Sequence, residues 1–144
     1  MSFRNCFKYV HLFGFLFLNC RPNVNNQCLF NNIPVVFKDI NLNLIQYSDL
    51  TFERSFIYEP GGISGLVIYR ETGNIYRVFD RASPISPNNP NARLYVDASR
   101  QFLRDSVNNA QYDFEGNVVF GSKNCPLLRY NAIYVPPFLS IRNF

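Results

Sequence analysis

No stretch of this chain sustains a helical hydrophobic period over about 11 residues, whereas short β-rich runs recur between turn residues along most of its length. Residues 35–37 and 40–45 alternate loosely, with Leu42 and Leu44 on one side. Residues 64–70 and 74–80 are two apolar, aromatic-rich runs separated by Glu71-Thr72-Gly73, the signature of a hairpin. Residues 93–96 form a further short run, and 111–114 and 118–120 flank Glu115-Gly116-Asn117 as a second hairpin. Residues 127–135 and 138–141 close the series around Pro136-Pro137, which cannot carry a strand ladder onward. Only 97–107 has room for a helical turn. Short strands with frequent turns predict an all-β fold of small antiparallel sheets, a sandwich or small barrel. Residues 84–91 (PISPNNPN) read as a stiff loop inside it.

The amino terminus has a different character. Arg4 and Lys8 precede an apolar run at 9–18, interrupted by His11 and too short to cross a bilayer, which needs about 20 residues. A basic region followed by a run of this length reads as an export signal over 1–19. The run ends in Leu16-Phe17-Leu18-Asn19-Cys20, which resembles the cleavage box of bacterial lipoproteins, although Asn19 stands where a small residue is usual. That resemblance implies that Cys20 becomes a lipidated first residue, with 20–33 as a tether and 34–144 as the domain. Several acyl chains at one site suffice for stable anchoring. In an oxidising compartment the two remaining cysteines, Cys28 and Cys125, are expected either to bridge the arm to a late loop or to stay as separate thiols, with Cys125 buried.

Composition then removes most enzyme chemistry. The chain has one histidine, His11, and it lies within the expected signal. A mature protein without it has no Ser-His-Asp or Cys-His nucleophile, no histidine base and no His-ligated zinc site. The full chain of 144 residues carries a formal charge of +4; removal of 1–19 leaves 125 residues and a charge of +2. The basic residues form no run, so nucleic acid is not an expected partner.

The stretches Gly65-Leu-Val-Ile-Tyr-Arg and Tyr76-Arg-Val-Phe-Asp-Arg-Ala-Ser-Pro-Ile85, with Tyr112-Asp-Phe-Glu-Gly-Asn117, Gly121 and Pro126-Leu-Leu-Arg-Tyr130, together resemble Rieske-type iron–sulfur proteins. They are most similar to the small lipoprotein-type members found in bacterial envelopes. The resemblance implies small antiparallel sheets with a subdomain of two ligand loops that hold a [2Fe-2S] cluster through two cysteines and two histidines. Carried over by position, the first pair falls on Ser83 and Ile85. Counting back from Tyr112, the second falls on Asp105 and Asn108. None of the four is a thiolate or an imidazole, so the site is degenerate and no cofactor is expected. In its place, Ile85 is expected to fill the gap by apolar contact, and Asp105 and Asn108 to bond amides of the opposing loop. The rival expectation is two exposed, loosely held loops.

Other features have plainer expected roles. Asp80-Arg81 reads as a structural ion pair or a turn-capping carboxylate. Asp113 and Glu115, two apart and facing one side, are candidate acid–base or calcium groups at what is more ordinarily a solvated hairpin tip. Tyr69, Tyr76, Phe79, Tyr112, Phe114, Tyr130 and Tyr134 read as core and cross-strand packing, and Gly61-Gly62 as a turn. Taken together, the expected protein is not an enzyme. It is an envelope lipoprotein on the periplasmic face of the outer membrane, a structural or interaction module with an unidentified envelope partner. Two rivals stay open: an electron carrier with an unconventional cluster, and a small-ligand binder using Asp105, Asp113 or Glu115.

Overall fold

The computed structural model describes Cys28 and residues 30–121 and 123–144. The expected signal, His11 and the Cys20 lipidation site lie outside the described residues. The fold is all-β. Among the described residues ten strands run in chain order: β1 (Phe37–Asn41), β2 (Ser55–Glu59), β3 (Leu66–Arg70), β4 (Tyr76–Asp80), β5 (Leu94–Val96), β6 (Leu103–Asp105), β7 (Gln111–Tyr112), β8 (Val118–Phe120), β9 (Arg129–Val135) and β10 (Phe138–Arg142). They form a six-stranded antiparallel sheet of order β1-β10-β9-β4-β3-β2 and a four-stranded sheet of order β5-β6-β7-β8.

The two sheets share one wall. In β3, Leu66 and Ile68 enter one core cluster, with Val78, Tyr130, Leu139 and Ile141, while Val67 enters a second with Phe79, Leu94, Leu103 and Tyr112. A strand buried on both faces has no polar side to present, which is why 66–69 reads as unbroken Leu-Val-Ile-Tyr rather than as an alternation. The larger sheet also curls. Lys38 on edge strand β1 pairs with Glu59 on the opposite edge strand β2, so the two edges of the sheet approach each other. A 3-10 helix, Ile45–Thr51, lies against β2 and buries Tyr47 and Leu50 in the first core.

Several elements depart from the sequence reading. The run at 40–45 is not one strand: β1 stops at Asn41, Leu42 is buried, and Leu44, expected on the same side, is exposed as the chain turns into the 3-10 helix. Asn41 starts that turn, its side chain accepting the Asn43 amide. The expected helical turn at 97–107 is instead a tight turn followed by β6. The Asp97 carboxylate accepts the Gln101 and Phe102 amides, and Arg100, at φ 57°, ends any helical path. Strands β2 and β6 carried too little alternation to be read. Pro136-Pro137, joined by a cis peptide bond, forms the turn itself, with Val135 opposite Phe138.

Cys28 and Cys125 are joined by a disulfide between Cα atoms 5.3 Å apart, across a sequence separation of 97. In the chain-entropy account a loop of that size removes about 4–5 kcal/mol of freedom from the unfolded chain. Reduction is therefore expected to lower the unfolding free energy by about 4 kcal/mol, read as a lower urea midpoint with and without reductant.

Candidate functional site

Two loops meet at the far end of the four-stranded sheet. The first leaves β4, runs from Ser83 to Ala92 and is closed by the Ser83 amide donating to the Ala92 carbonyl at 3.0 Å and by a bridge between Ala82 and Arg93. The second runs from Asp105 to Ala110 between β6 and β7, closed by the Asp105 amide on the Ala110 carbonyl at 2.9 Å. Asn109 takes φ 52° within it, the conformation that Asn tolerates better than most side chains.

Of the four positions singled out in sequence, three come together in one hydrogen-bonded network. The Ser83 hydroxyl donates to Asp105 Oδ2 in a short bond across 22 residues of chain. Asn108 Nδ2 donates to the same carboxylate oxygen at 2.9 Å and to Ser83 Oγ at 3.2 Å. Ser83 Oγ also accepts the Ile85 and Ser86 amides at 3.1 and 3.2 Å, and Asp105 Oδ1 accepts the Val107 and Asn108 amides at 2.9 Å each. Ser83 is fully buried and Asp105 is 3% exposed. Ile85 is partly buried and packs against the second core without joining the network.

The arrangement differs from the expected one in one respect. Asp105 bonds the amides of its own loop, and it reaches the opposing loop through the Ser83 hydroxyl. Asn108 reaches that loop through Ser83 and through the Ser86 hydroxyl, which donates to Asn108 Oδ1 at 3.2 Å. An Asp or Asn side chain captures amides two or three residues on more readily than distant ones, because little chain entropy is lost. A second tie sits beside the first: Ser106 Oγ accepts the Arg93 amide at 2.9 Å and donates to the Asn91 carbonyl at 2.7 Å. Ser86 and Ser106 gave no sequence signal beyond lying in the two loops.

Burial pushes the Asp105 carboxyl up, but the Ser83 hydroxyl, the Asn108 and Val107 amides and the Asn108 side chain outweigh it, and the group lies below its ordinary value. The Tyr112 phenol is pushed well up, chiefly by burial and then by the Asp105 charge. Its hydroxyl is buried without a hydrogen-bond partner among the described residues.

The remaining candidates are occupied structurally. Asp80 is fully buried at the end of β4, accepting the Ile63, Ser64 and Ala82 amides and the Tyr130 hydroxyl at 2.9 Å. It therefore caps the turn at 61–65, and is not paired with Arg81. Gly62, at φ 63°, leaves room for that carboxylate: a Cβ there would run into Asp80 and lie 2.9 Å from the Tyr130 hydroxyl. Arg81 lies over the Tyr58 ring at 4.0 Å and donates to the Leu94 carbonyl. Asp113 and Glu115 do not share a task. Asp113 accepts the Glu115 and Asn117 amides of its own turn, whereas Glu115 pairs with Arg77 at 2.6 Å. Of the aromatic set, Tyr69, Tyr76, Phe79, Tyr112 and Tyr130 are buried, and the Tyr69 and Phe114 rings stack 3.6 Å apart.

As a metal centre the four-position set is chemically unsuited to an iron–sulfur cluster. Ser83 holds its proton toward Asp105, Ile85 has no donor atom, and Asn108 offers a neutral amide, where iron with bridging sulfide prefers thiolate or imidazole. Cys28 and Cys125 are engaged with each other. Among the described residues no three His, Cys, Asp or Glu side chains are grouped to hold a metal ion. No protein-family model matches the chain, and no curated protein is similar enough to match it.

Asp105→Asn is expected to cost about 2–3 kcal/mol, since one amide oxygen cannot replace a carboxylate serving four donors and buried partners are left unmet. The Asp105 carboxyl is lowered in the folded state relative to 3.8. Its stabilisation is then complete above the ordinary carboxylate range and is lost as pH falls through the lowered value. Urea midpoints measured between neutral pH and strongly acidic pH should fall less steeply in Asp105→Asn than in the parent.

Proposed function

We propose that this chain is a Rieske-like domain in which hydrogen bonds close the two ligand loops in place of a [2Fe-2S] cluster. On this reading it is a non-catalytic structural or interaction module of a bacterial envelope, exported and held to the membrane by lipid on Cys20. The observation that carries the reading is the meeting of Ser83 with Asp105 and Asn108. These are positions picked out by resemblance to the two ligand pairs, and they lie in loops remote in sequence. The Ser83 hydroxyl and the Asp105 carboxylate do mechanically what a shared metal centre would do: they fix one loop to the other from inside. Fold-level likeness does not supply a partner, so the partner is left as an envelope component.

The two other classes have less support. Electron transfer needs a bound redox group, and the four positions lack the donors for one. A carboxylate-based ligand site needs free carboxylates in a concavity, whereas Asp105 is buried in the network and Asp113 and Glu115 are committed to a turn and to Arg77.

The purified full chain is expected to be colourless, with neither iron nor acid-labile sulfide in stoichiometric amount. Stoichiometric iron and sulfide would establish the electron carrier instead. The fold-level part of the reading is tested by gain of function. The combined Ser83→Cys, Ile85→His, Asp105→Cys, Asn108→His variant, reconstituted with iron and sulfide, is expected to show the visible absorption and electron-spin resonance of a histidine-ligated cluster. A folded variant that takes up no iron would remove the resemblance as an account of the two loops.

A further inference from the structure

The Ser83 oxygen is fully buried and meets three N–H donors: the Ile85 amide at 3.1 Å, the Ser86 amide at 3.2 Å and Asn108 Nδ2 at 3.2 Å. A neutral hydroxyl has two lone pairs, so three donors exceed what it accepts. They match the oxygen that remains once the proton has left. That proton points at Asp105 Oδ2. The Asp105 carboxyl lies below its ordinary value despite its burial, so it is charged at neutral pH and placed to take the proton. A serine with a carboxylate at its hydroxyl and donors around its oxygen is an activated nucleophile.

An electrophile lies in the same cluster. Asn108 Cγ is one bond from the nitrogen that meets Ser83 Oγ. That nitrogen also donates to Asp105 Oδ2 at 2.9 Å, the oxygen that faces the serine proton. Asn108 Oδ1 accepts the Ser86 hydroxyl at 3.2 Å, which polarises the carbonyl and offers a donor to the charge that an attack places there. Ser83 meets the amide through its N–H. A turn about the Asn108 Cβ–Cγ bond, a broad torsion in Asn, presents the carbonyl carbon to the same oxygen. Asp105 is 3% exposed, so water, the rival nucleophile, is kept out. Asn108 is only partly buried, which leaves a small leaving group a way out.

We infer that Ser83 and Asn108 join as an ester that welds the loop 83–92 to the loop 105–110. Ser83 Oγ bonds to Asn108 Cγ, and the Cγ–Nδ2 bond breaks. The hydroxyl proton passes to Asp105 Oδ2 and from there to the departing nitrogen, which leaves as ammonia. Every atom comes from the chain itself, and no oxidant, reductant or water is consumed. The bond makes permanent what the hydrogen bonds hold reversibly. It deepens the structural role proposed above, yet it stands on the geometry of Ser83, Asp105 and Asn108 and not on the iron–sulfur resemblance.

Trypsin cuts after Arg81, Arg93, Arg104 and Lys123, which places Ser83 in the peptide 82–93 and Asn108 in 105–123, neither with a cysteine. The full chain is purified folded, then unfolded in urea, digested at neutral pH and weighed. The expected product is one species at the summed mass of the two peptides less about 17 Da, the mass of ammonia. Mild alkali is expected to split it and leave 105–123 about 1 Da above its sequence mass, the exchange of an amide for a carboxylate. Ser83→Ala and Asp105→Asn chains are expected to yield the two peptides apart. Separate peptides from the unaltered chain would overturn the inference, and so would a joined species from Ser83→Ala. Iron and sulfide are measured on the same sample. Separate peptides without iron remove the ester and leave the cluster-free domain standing, whereas separate peptides with stoichiometric iron overturn both.

Discussion

Burial of β3 and β4 on both faces is the constraint on which the rest of the molecule depends. Leu66, Ile68 and Val78 face into the curl of the large sheet, while Val67 and Phe79 face the small one. At about 25 cal/mol per Å² of apolar surface, strands that bury both sides contribute more per residue than edge strands, which bury one. The wall also fixes register. A slip of one residue would exchange the two sets, placing the wrong side chains in both cores at once. The curl closed by Lys38 and Glu59, the 3-10 helix over β2 and the seating of the β7–β8 turn on Phe79 all follow from having this wall in place.

Buried polar groups then define where the chain leaves the wall. Asp80 ends β4 by gathering three amides and the Tyr130 hydroxyl, and Asp105 ends β6 by gathering two amides, an amide side chain and a serine hydroxyl. Each carboxylate is out of contact with solvent and is stable there because its lone pairs are met by donors from well-separated segments. Such a network is directional in a way that apolar packing is not. It holds Ser83 to Asp105 in one geometry, and through them the loop 83–92 to the loop 105–110. A loop pair held in this way needs no metal to keep its shape, which is the physical content of the proposed loss of a cluster.

Legibility followed the kind of signal each segment carried. The hairpins at 64–80 and 111–120 were readable because their Gly-containing turns have a local cause, and Glu115-Gly116-Asn117 does place Gly116 at φ 90°. The pairing of Ser83 with Asp105 was not readable as a hydrogen bond. The two residues lie 22 positions apart, so no local rule joins them, and the choice of own-loop amides for Asp105 is a matter of local geometry. Strand β2 was missed because it is apolar toward both sides: Phe56 and Tyr58 meet edge to face on one side, 5.4 Å apart, and Ile57 packs against the first core on the other, which leaves no apolar–polar alternation in the sequence. The segment 40–45 misled because Leu42 and Leu44 share a parity while Asn41 breaks the strand between them and the ladder.

From its residues alone this chain is an all-β protein with two glycine-turn hairpins, one pair of cysteines beyond position 20, and no histidine beyond position 11 to do catalysis or bind metal. Those properties are local or countable, and each residue carries its own cause. The tertiary structure decided that the small sheet packs behind β3 and β4, that Cys28 meets Cys125 and that Ser83 meets Asp105. It also decided that the outward positions of β1, β9 and β10 mix exposed apolar side chains, Phe37, Ile133, Val135 and Phe138, with the Asp39–Arg142 ion pair. All of these are contacts between segments far apart in sequence. They depend on which face each strand turns toward a neighbour, and this is settled by the folded sheet as a whole.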